Sequence, residues 1–152
     1  MNDDWHPHLT VATIIENQGK FLMVKEISNG EIVFNQPAGH VEKNENLMAA
    51  AIRETLEETG WHVTIKELVG FYLYTSPQSQ TTYFRALFTA SPDQHDPQRT
   101  LDEGILDAPW LSLEQIKEKT STLRSPMVLQ CIEDYLSGKR LPLNSISHVA
   151  SQ

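Results

Sequence analysis

The sequence predicts an α+β fold in which helices pack on the faces of a mixed β-sheet. Short segments alternate polar with β-branched or aromatic residues, one uninterrupted helical segment lies among them, and two further helical segments follow near the carboxyl end. The 152 residues match one ordinary domain, and neither an internal repeat nor a linker divides them. We therefore expect a single domain over residues 1–152.

The first part of the chain predicts a hairpin and a third strand. Residues 8–15 alternate and are rich in β-branched side chains, which is typical of a strand. A polar turn at residues 16–19 leads to a returning strand at residues 20–25. After a turn that ends at Gly30, residues 31–35 form another short strand.

A helix is predicted from Glu45 to Thr59. Asn44 is a favourable N-cap, the central alanines are strong helix formers, and Gly60 can end the helix in the left-handed conformation. At about 100° per residue, carboxylates fall on one side of this helix and apolar or threonine side chains on the other. We expect the second side to face the sheet, with Met48, Ile52, Thr55, Leu56 and Thr59.

Further strands are expected after the helix. Residues 62–65 form a short extended piece, and residues 67–75 and 81–90 have strand patterns. Residues 91–100 contain two prolines and no periodicity, which predicts a loop. A last short strand is expected at residues 106–111.

Two helices and a flexible tail are expected at the carboxyl end. Ser112 caps a helix that runs to about Glu118. The pair Ser125-Pro126 begins the last helix, because serine suits the cap and proline the first helical position. Residues 144–152 are polar and aperiodic, so we expect them to be flexible.

The composition excludes several classes of protein. The net charge of −8 argues against a nucleic-acid-binding surface, which is normally basic. No apolar run approaches the roughly 18 residues of a membrane span, and the acidic amino terminus lacks the apolar region of a secretory signal. The single cysteine, Cys131, excludes an intramolecular disulfide and is expected to be buried. We expect a cytoplasmic monomer or weak dimer with a small-molecule partner.

The predicted helix brings three carboxylates together. Glu54, Glu57 and Glu58 are neighbours on one face because they are three and four residues apart. Such groups, about 6 Å apart, repel unless a positive charge lies among them. Solvent and a distant lysine can supply that charge on a simple acidic surface. A divalent cation such as Mg²⁺, which prefers carboxylate and phosphate oxygens, would instead make a metal site that binds phosphorylated substrates.

Four further residues flank these carboxylates at fixed spacings, namely Gly39, Glu45, Arg53 and Gly60. The whole pattern resembles the Nudix box, the signature of the Nudix hydrolases. Two departures are Thr55, where the family usually has an aliphatic residue, and His40, where most members have a second glycine. The segments 123–126 and 135–143 resemble a bacterial phosphatase subgroup of the family. Together with the box, the resemblance extends from about residue 6 to residue 143, nearly the whole chain. Seven fixed positions match over 22 residues: Gly39, Glu45, Arg53, Glu54, Glu57, Glu58 and Gly60.

The resemblance implies a mixed sheet between helices, with the box as a loop-helix-loop. It also implies hydrolysis of a diphosphate linked to another group, with Mg²⁺ as cofactor or Mn²⁺ in its place. For the phosphatase subgroup it implies release of orthophosphate from nucleoside di- and triphosphates and from thiamine-type diphosphates. Two alternatives stay open. One is a narrow pyrophosphohydrolase for ADP-ribose or an oxidised nucleotide, and the other is a non-catalytic nucleotide sensor, which would be expected to lose box glutamates.

The resemblance also implies roles for the box residues. Glu57 and Glu58 would be the main metal ligands, and Gly39 would offer its backbone carbonyl. Glu54 would be a further ligand or the base that activates water. Arg53 would orient the glutamates through charge-assisted hydrogen bonds rather than touch the substrate.

Many family members take another carboxylate from the loop before the last strand. The candidates here are Asp102, Glu103 and Asp107. We choose Glu103 as a catalytic base, because a loop can bring its carboxylate to the attacking water. The alternative is a solvated acidic loop.

Four residues are candidates for substrate contacts. Phe34 can stack on a base or thiazole ring, although a phenylalanine in a strand is more often in the core. His40 lies beside the metal loop, and Arg85 can meet a phosphate or pair with a carboxylate. Arg124 precedes a helix amino terminus, which suits anions.

Overall fold

The α+β class is confirmed by a computed structural model, which describes residues 4–150. Among these residues, no helix has the length and apolar character needed to cross a bilayer. The elements in chain order are β1 (His8–Ile14), β2 (Glu16–Asn17), β3 (Lys20–Leu22), β4 (Val24–Ser28), β5 (Glu31–Asn35), β6 (Ala38–His40), α1 (Leu47–Thr59), β7 (Trp61–Thr75), β8 (Thr82–His95), β9 (Ile105–Asp107), β10 (Trp110–Ser112), α2 (Leu113–Glu118) and α3 (Met127–Leu136).

The central sheet has the strand order β6-β1-β8-β7. Strand β1 runs parallel to β8, whereas its pairing with β6 and the pairing of β7 with β8 are antiparallel, so the sheet is mixed. Two smaller sheets have the orders β10-β3-β2 and β5-β4-β9. Because β1 is central, its residues lie opposite β6 on one side and β8 on the other.

Helices cover both faces of the central sheet. Successive residues of a strand point to opposite faces. Val11 accordingly packs with Ala50 and Ala51 of α1, while its neighbour Ala12 lies in the cluster that contains Val128 of α3. This arrangement places the sheet between helices, as the family resemblance implied.

Helix α1 begins two residues later than predicted. Asn46, not Asn44, is its N-cap, and the Asn46 side chain accepts hydrogen bonds from the backbone N–H groups of Met48 and Ala49. Asn44 has a φ of 65° in the preceding turn, a left-handed conformation that asparagine tolerates. Gly60 ends the helix with a φ of 76°, as predicted.

Replacing Asn46 by Ala should lower the free energy of unfolding by about 1 kcal/mol, because two N–H groups of the first turn lose their acceptor. Chemical denaturation of both proteins measures the difference. Asn144→Ala, at an exposed position outside α1, is a suitable control. Equal midpoints for Asn46→Ala and wild type would contradict the assigned cap.

The buried face of α1 differs in part from the predicted one. Its fully buried positions are mostly small, with Ala50 and Ala51 against the sheet, whereas Ile52 is 37% exposed. Thr55 is fully buried, and its hydroxyl lies 2.9 Å from that of Thr13 on β1. This threonine pair gives the unusual residue of the box a polar partner, since a buried hydroxyl needs one.

The prediction of a loop at residues 91–100 is wrong for residues 91–95. Strand β8 continues to His95 and pairs with the start of β7, including Pro92 opposite Val63. Beyond Thr89 strand β8 no longer pairs with β1. Proline is tolerated on such an edge, because its missing N–H is not needed by a second neighbour.

Other strand boundaries also change. Residues 62–65 and 67–75 belong to one continuous β7 with irregular register. The predicted strand at 20–25 is divided into β3 and β4, which pair with different partners. The strand predicted at 106–111 is likewise divided, into β9 and β10, so that it joins both smaller sheets.

The start of the predicted tail contacts α1. Ile146 packs against the cluster that contains Ala50, and the His148 side chain accepts a hydrogen bond from the Leu47 N–H at 3.1 Å. Residues 151–152 lie outside the described part of the chain. The flexibility of the tail stays a prediction.

Candidate metal centre and active site

Strand β6 and the turn that leads from it to α1 lie directly against the acidic residues of the helix. Gly39 pairs with Val11 in the sheet, and a Cβ atom added to Gly39 would lie 2.1 Å from the carboxyl carbon of Glu54. The backbone N–H of Ala38 donates to Glu58 Oε1 at 2.8 Å. The Glu54 carboxylate can occupy this place only because residue 39 has no side chain.

Three carboxylates form a cluster at this turn. One oxygen from each of Glu54, Glu57 and Asp102 lies within 4.8 Å of the other two. The Asp102 N–H donates to the Glu57 carbonyl at 3.0 Å, which fixes the loop against the end of α1. Side chains from two separate segments therefore converge on one point.

Asp102, rather than Glu103, is the loop residue in this cluster. Both residues are exposed, but only Asp102 has a carboxylate oxygen in the cluster. The hydrogen bond from the Asp102 N–H to the Glu57 carbonyl also ties Asp102 to the end of α1. The loop was predicted to contribute a carboxylate, and the geometry favours Asp102 for that role over Glu103.

Arg53 connects the box glutamates. Its guanidinium donates two hydrogen bonds to Glu45, at 2.7 and 2.9 Å, and one to the His40 carbonyl at 3.0 Å. It also donates to Glu54 at 2.9 Å and to Glu57 at 3.2 Å. The orienting role that the resemblance implied for Arg53 stays a prediction, to which these hydrogen bonds give a structural basis.

Arg53→Met should disorder the cluster, because the glutamates lose the cation that holds them. Because the Arg53 ion pairs are partly buried, we expect the free energy of unfolding to fall by about 1–3 kcal/mol. Turnover should fall as well. Thermal unfolding and steady-state kinetics measure the two effects. Arg99→Met is the control, since Arg99 is exposed and lies outside this network. Equal stability and turnover in Arg53→Met and wild type would refute the assigned role.

Burial changes the acid–base behaviour of two box glutamates. It raises the pKa of Glu58 to about 9, and the Ala38 N–H opposes this rise only in part. Burial also raises the pKa of Glu54, against the effect of Arg53. A divalent cation beside them would favour the ionised carboxylates.

Glu58 accepts a hydrogen bond from the Ala38 N–H but is not in the carboxylate cluster. It is buried, whereas Glu54 and Glu57 are partly exposed. Its role as a metal ligand stays a prediction, as does that of the Gly39 carbonyl.

The carboxylate cluster fits a hard divalent cation. Its donors are oxygen atoms, and the absence of a side chain at Gly39 provides space for the Glu54 carboxylate beside the backbone. Glu54, Glu57 and Asp102 are the residues that would hold the ion. The arrangement is therefore a candidate centre for a divalent metal.

A cleft of about 970 Å³ adjoins this centre, and three of the four predicted substrate contacts border it. His40 lies there with its Nε2 2.9 Å from Nδ1 of His8. Arg85 is buried, and Arg124 donates to Glu26 at 2.6 Å. Sequence reasoning missed two tyrosines of the same cleft, Tyr74 and Tyr83. The strand alternation places Tyr83 on the same face as Arg85, two residues later, and this could have identified it.

Phe34 does not lie in this cleft. It is 9% exposed and belongs to the main core, and the ammonium group of Lys119 lies 4.9 Å from its ring centre. The prediction that Phe34 stacks on substrate is therefore not supported by its position. Strand β5 turns this side chain inwards, while its neighbours Val33 and Asn35 border the cleft.

The chain is similar to known proteins of one family. Residues 6–131 match the model of the NUDIX domain. The chain is 41% identical over 140 residues to "Phosphatase NudJ" of Escherichia coli strain K12, covering 92% of this chain and 90% of that protein. "Phosphatase NudJ" of Shigella sonnei strain Ss046 gives the same identity and coverage.

A solved structure supports the same relationship. A NUDIX hydrolase from Nitrosomonas europaea is 44% identical, with a TM-score of 0.93 and coverage of 95% of this chain and 98% of that chain. The similarity therefore extends over nearly the whole length of both chains. The chain belongs to the Nudix hydrolase family.

Proposed function

We propose that this enzyme hydrolyses phosphoanhydride bonds in nucleoside di- and triphosphates and in thiamine-type diphosphates, with Mg²⁺ as cofactor and orthophosphate as product. The cluster of Glu54, Glu57 and Asp102 beside a large cleft carries the proposal. The relatives named phosphatase, at 41% identity, support orthophosphate as the product.

In this proposal the carboxylates of the cluster hold the metal, and Arg53 positions them. Glu57 and Asp102 would hold Mg²⁺, with Mn²⁺ as a substitute, and Glu54 would be a further ligand or the base that activates water. The ion, when bound, offsets the charge of the phosphates and lowers the pKa of water. Arg53 holds the glutamates in place and does not touch substrate.

Glu54 is the proposed proton acceptor. Arg53 donates to Oε1 of Glu54, which leaves Oε2 free to take a proton from the attacking water. The oxygen of that water bonds to phosphorus as the bridging P–O bond breaks. The electron pair of that bond leaves with the departing phosphate or nucleotide, and orthophosphate is the product when the terminal phosphorus is attacked.

Two residues of the cleft are proposed to contact the phosphates of the substrate. Arg124 lies at its edge and is 44% exposed, so it can reach a phosphate while it remains near Glu26. His40 lies next to Gly39 and is the proposed contact to phosphate nearest the metal centre. These roles place the phosphates at the end of the cleft that contains the carboxylates.

A product assay with purified protein tests the proposal. Nucleoside di- and triphosphates and thiamine diphosphate are incubated with Mg²⁺, and orthophosphate and pyrophosphate are measured separately. We expect orthophosphate, loss of turnover with EDTA, and recovery with Mg²⁺ or Mn²⁺. Pyrophosphate from a single nucleotide would instead indicate a narrow pyrophosphohydrolase, and ligand binding without any turnover would indicate a sensor.

A further inference from the structure

Arg85 is a buried cation with neutral partners. It is 4% exposed and borders the cleft. Its guanidinium donates to the side-chain oxygens of Gln36 at 2.9 Å and Asn35 at 3.3 Å, and to the sulfur of Cys131 at 3.7 Å. Within residues 4–150 it forms no ion pair with a carboxylate.

One nitrogen of this guanidinium has no hydrogen-bond acceptor. The Nε atom of Arg85 is buried and has no hydrogen-bond acceptor in the described part of the chain. A guanidinium has five N–H groups, and burying its charge is costly unless hydrogen bonds or an anion compensate. An acceptor from outside the protein would complete this environment.

The partners of Arg85 are held in fixed orientations. The Gln36 side-chain nitrogen donates to the Val128 carbonyl at 2.6 Å, so its oxygen must face Arg85. The Asn35 oxygen also accepts from Arg85, which leaves the Asn35 amide NH₂ as a free donor among the described residues. Since Asn35 borders the cleft, two residues with unused donors lie side by side at its wall.

The sheet places aromatic rings beside these donors. Tyr83 precedes Arg85 by two residues on β8, so both side chains lie on the same face. Tyr74 lies opposite Tyr83 on β7. Both tyrosines border the cleft, which therefore combines flat aromatic surface with hydrogen-bond donors in one region.

We propose that Arg85 and Asn35 determine specificity by donating hydrogen bonds to a planar heterocycle in the organic part of the substrate. The acceptors on that ring are carbonyl oxygens or ring nitrogens, and the tyrosines contact its surface. Gln36 acts as a positioning residue, because it reaches the ligand only through Arg85. This inference rests on the proposed function and assigns Arg85 to the organic group instead of the phosphates.

Two substrates separate the organic group from the phosphates. CTP carries a heterocycle with both kinds of acceptor, while inorganic tripolyphosphate has the same bond type without the ring. The ratio of kcat/KM for CTP to that for tripolyphosphate is measured with Mg²⁺ for wild type, Arg85→Met and Asn35→Ala. Arg85→Met keeps the volume and removes the buried charge, a change that cores often tolerate. Arg99→Met, an exposed arginine outside the cleft, is the matched control.

We expect the ratio to fall at least about 10-fold in Arg85→Met and Asn35→Ala, through a higher KM for CTP, and to stay unchanged in Arg99→Met. Equal losses on both substrates would overturn the inference, because they would indicate a phosphate contact or a structural role. An unchanged ratio in both variants would overturn it as well. If wild type hydrolyses neither substrate, the proposed function fails and this inference with it.

Discussion

Glu57→Gln is expected to lower Mg²⁺-dependent kcat/KM by at least about 100-fold while leaving the fold intact. Glutamine has the same shape as glutamate but lacks the charge that a divalent cation requires. The Glu57 side chain is 29% exposed and contacts Arg53 at the edge of that residue's network. Removing its charge also relieves repulsion with Glu54 and Asp102, so the apo protein should keep its stability.

Two measurements distinguish a lost metal ligand from a damaged fold. Circular dichroism and thermal unfolding without metal should match wild type. Added Mg²⁺ should raise the unfolding temperature of wild type more than that of Glu57→Gln, because a ligand stabilises the state that binds it. Glu114→Gln, an exposed change in the first turn of α2, should leave turnover and the Mg²⁺ effect unchanged. Wild-type turnover in Glu57→Gln would exclude this residue as a metal ligand.

Gly39→Ala is expected to reduce turnover by a similar factor of about 100 or more, although only a methyl group is added. The new Cβ would lie 2.1 Å from the Glu54 carboxyl carbon and 2.3 Å from one of its oxygens. These atoms form the end of a flexible side chain, so the carboxylate can move away and the fold can survive. The displaced Glu54 could then neither hold a cation nor take a proton at its present position.

Gly70→Ala is the matched control for this substitution. A Cβ at Gly70 would meet the mobile end of Lys139 at 3.1 Å, far from any residue of the carboxylate cluster. Steady-state kinetics should show activity close to wild type for Gly70→Ala and a large loss for Gly39→Ala, with similar unfolding temperatures. If Gly39→Ala retained full activity, the placement of Glu54 against the turn would be irrelevant to catalysis.

Local signals in the sequence predicted most of the elements. The helix of the box was recognised from its alanines, its charge spacing and Gly60, and the predicted cap Ser112 lies where α2 begins. The start of α1 was missed because two asparagines, Asn44 and Asn46, are equally good caps by residue type. Their backbone conformations, which depend on the preceding turn, separated them.

Long-range pairing decided what local signals could not. Residues 91–95 contain Pro92 and look like a loop, yet they form a strand because β7 is long enough to pair with them. Phe34 and Asn35 are neighbours on β5, and only packing determined which of them lies in the core and which borders the cleft. The distinction between Asp102 and Glu103 likewise came from the position of the loop against the end of α1, which brings the Asp102 carboxylate to Glu54 and Glu57.

The sequence by itself determined the family and the carboxylate face of α1, because helical spacing makes Glu54 and Glu57 neighbours in any fold that keeps the helix. The tertiary structure decided the rest of the site. It supplied Asp102 from a distant loop, turned Glu58 inwards and buried Arg85 beside the cleft. These features arise from contacts between segments far apart in the chain, and no short-range pattern of residues encodes which such segments will meet.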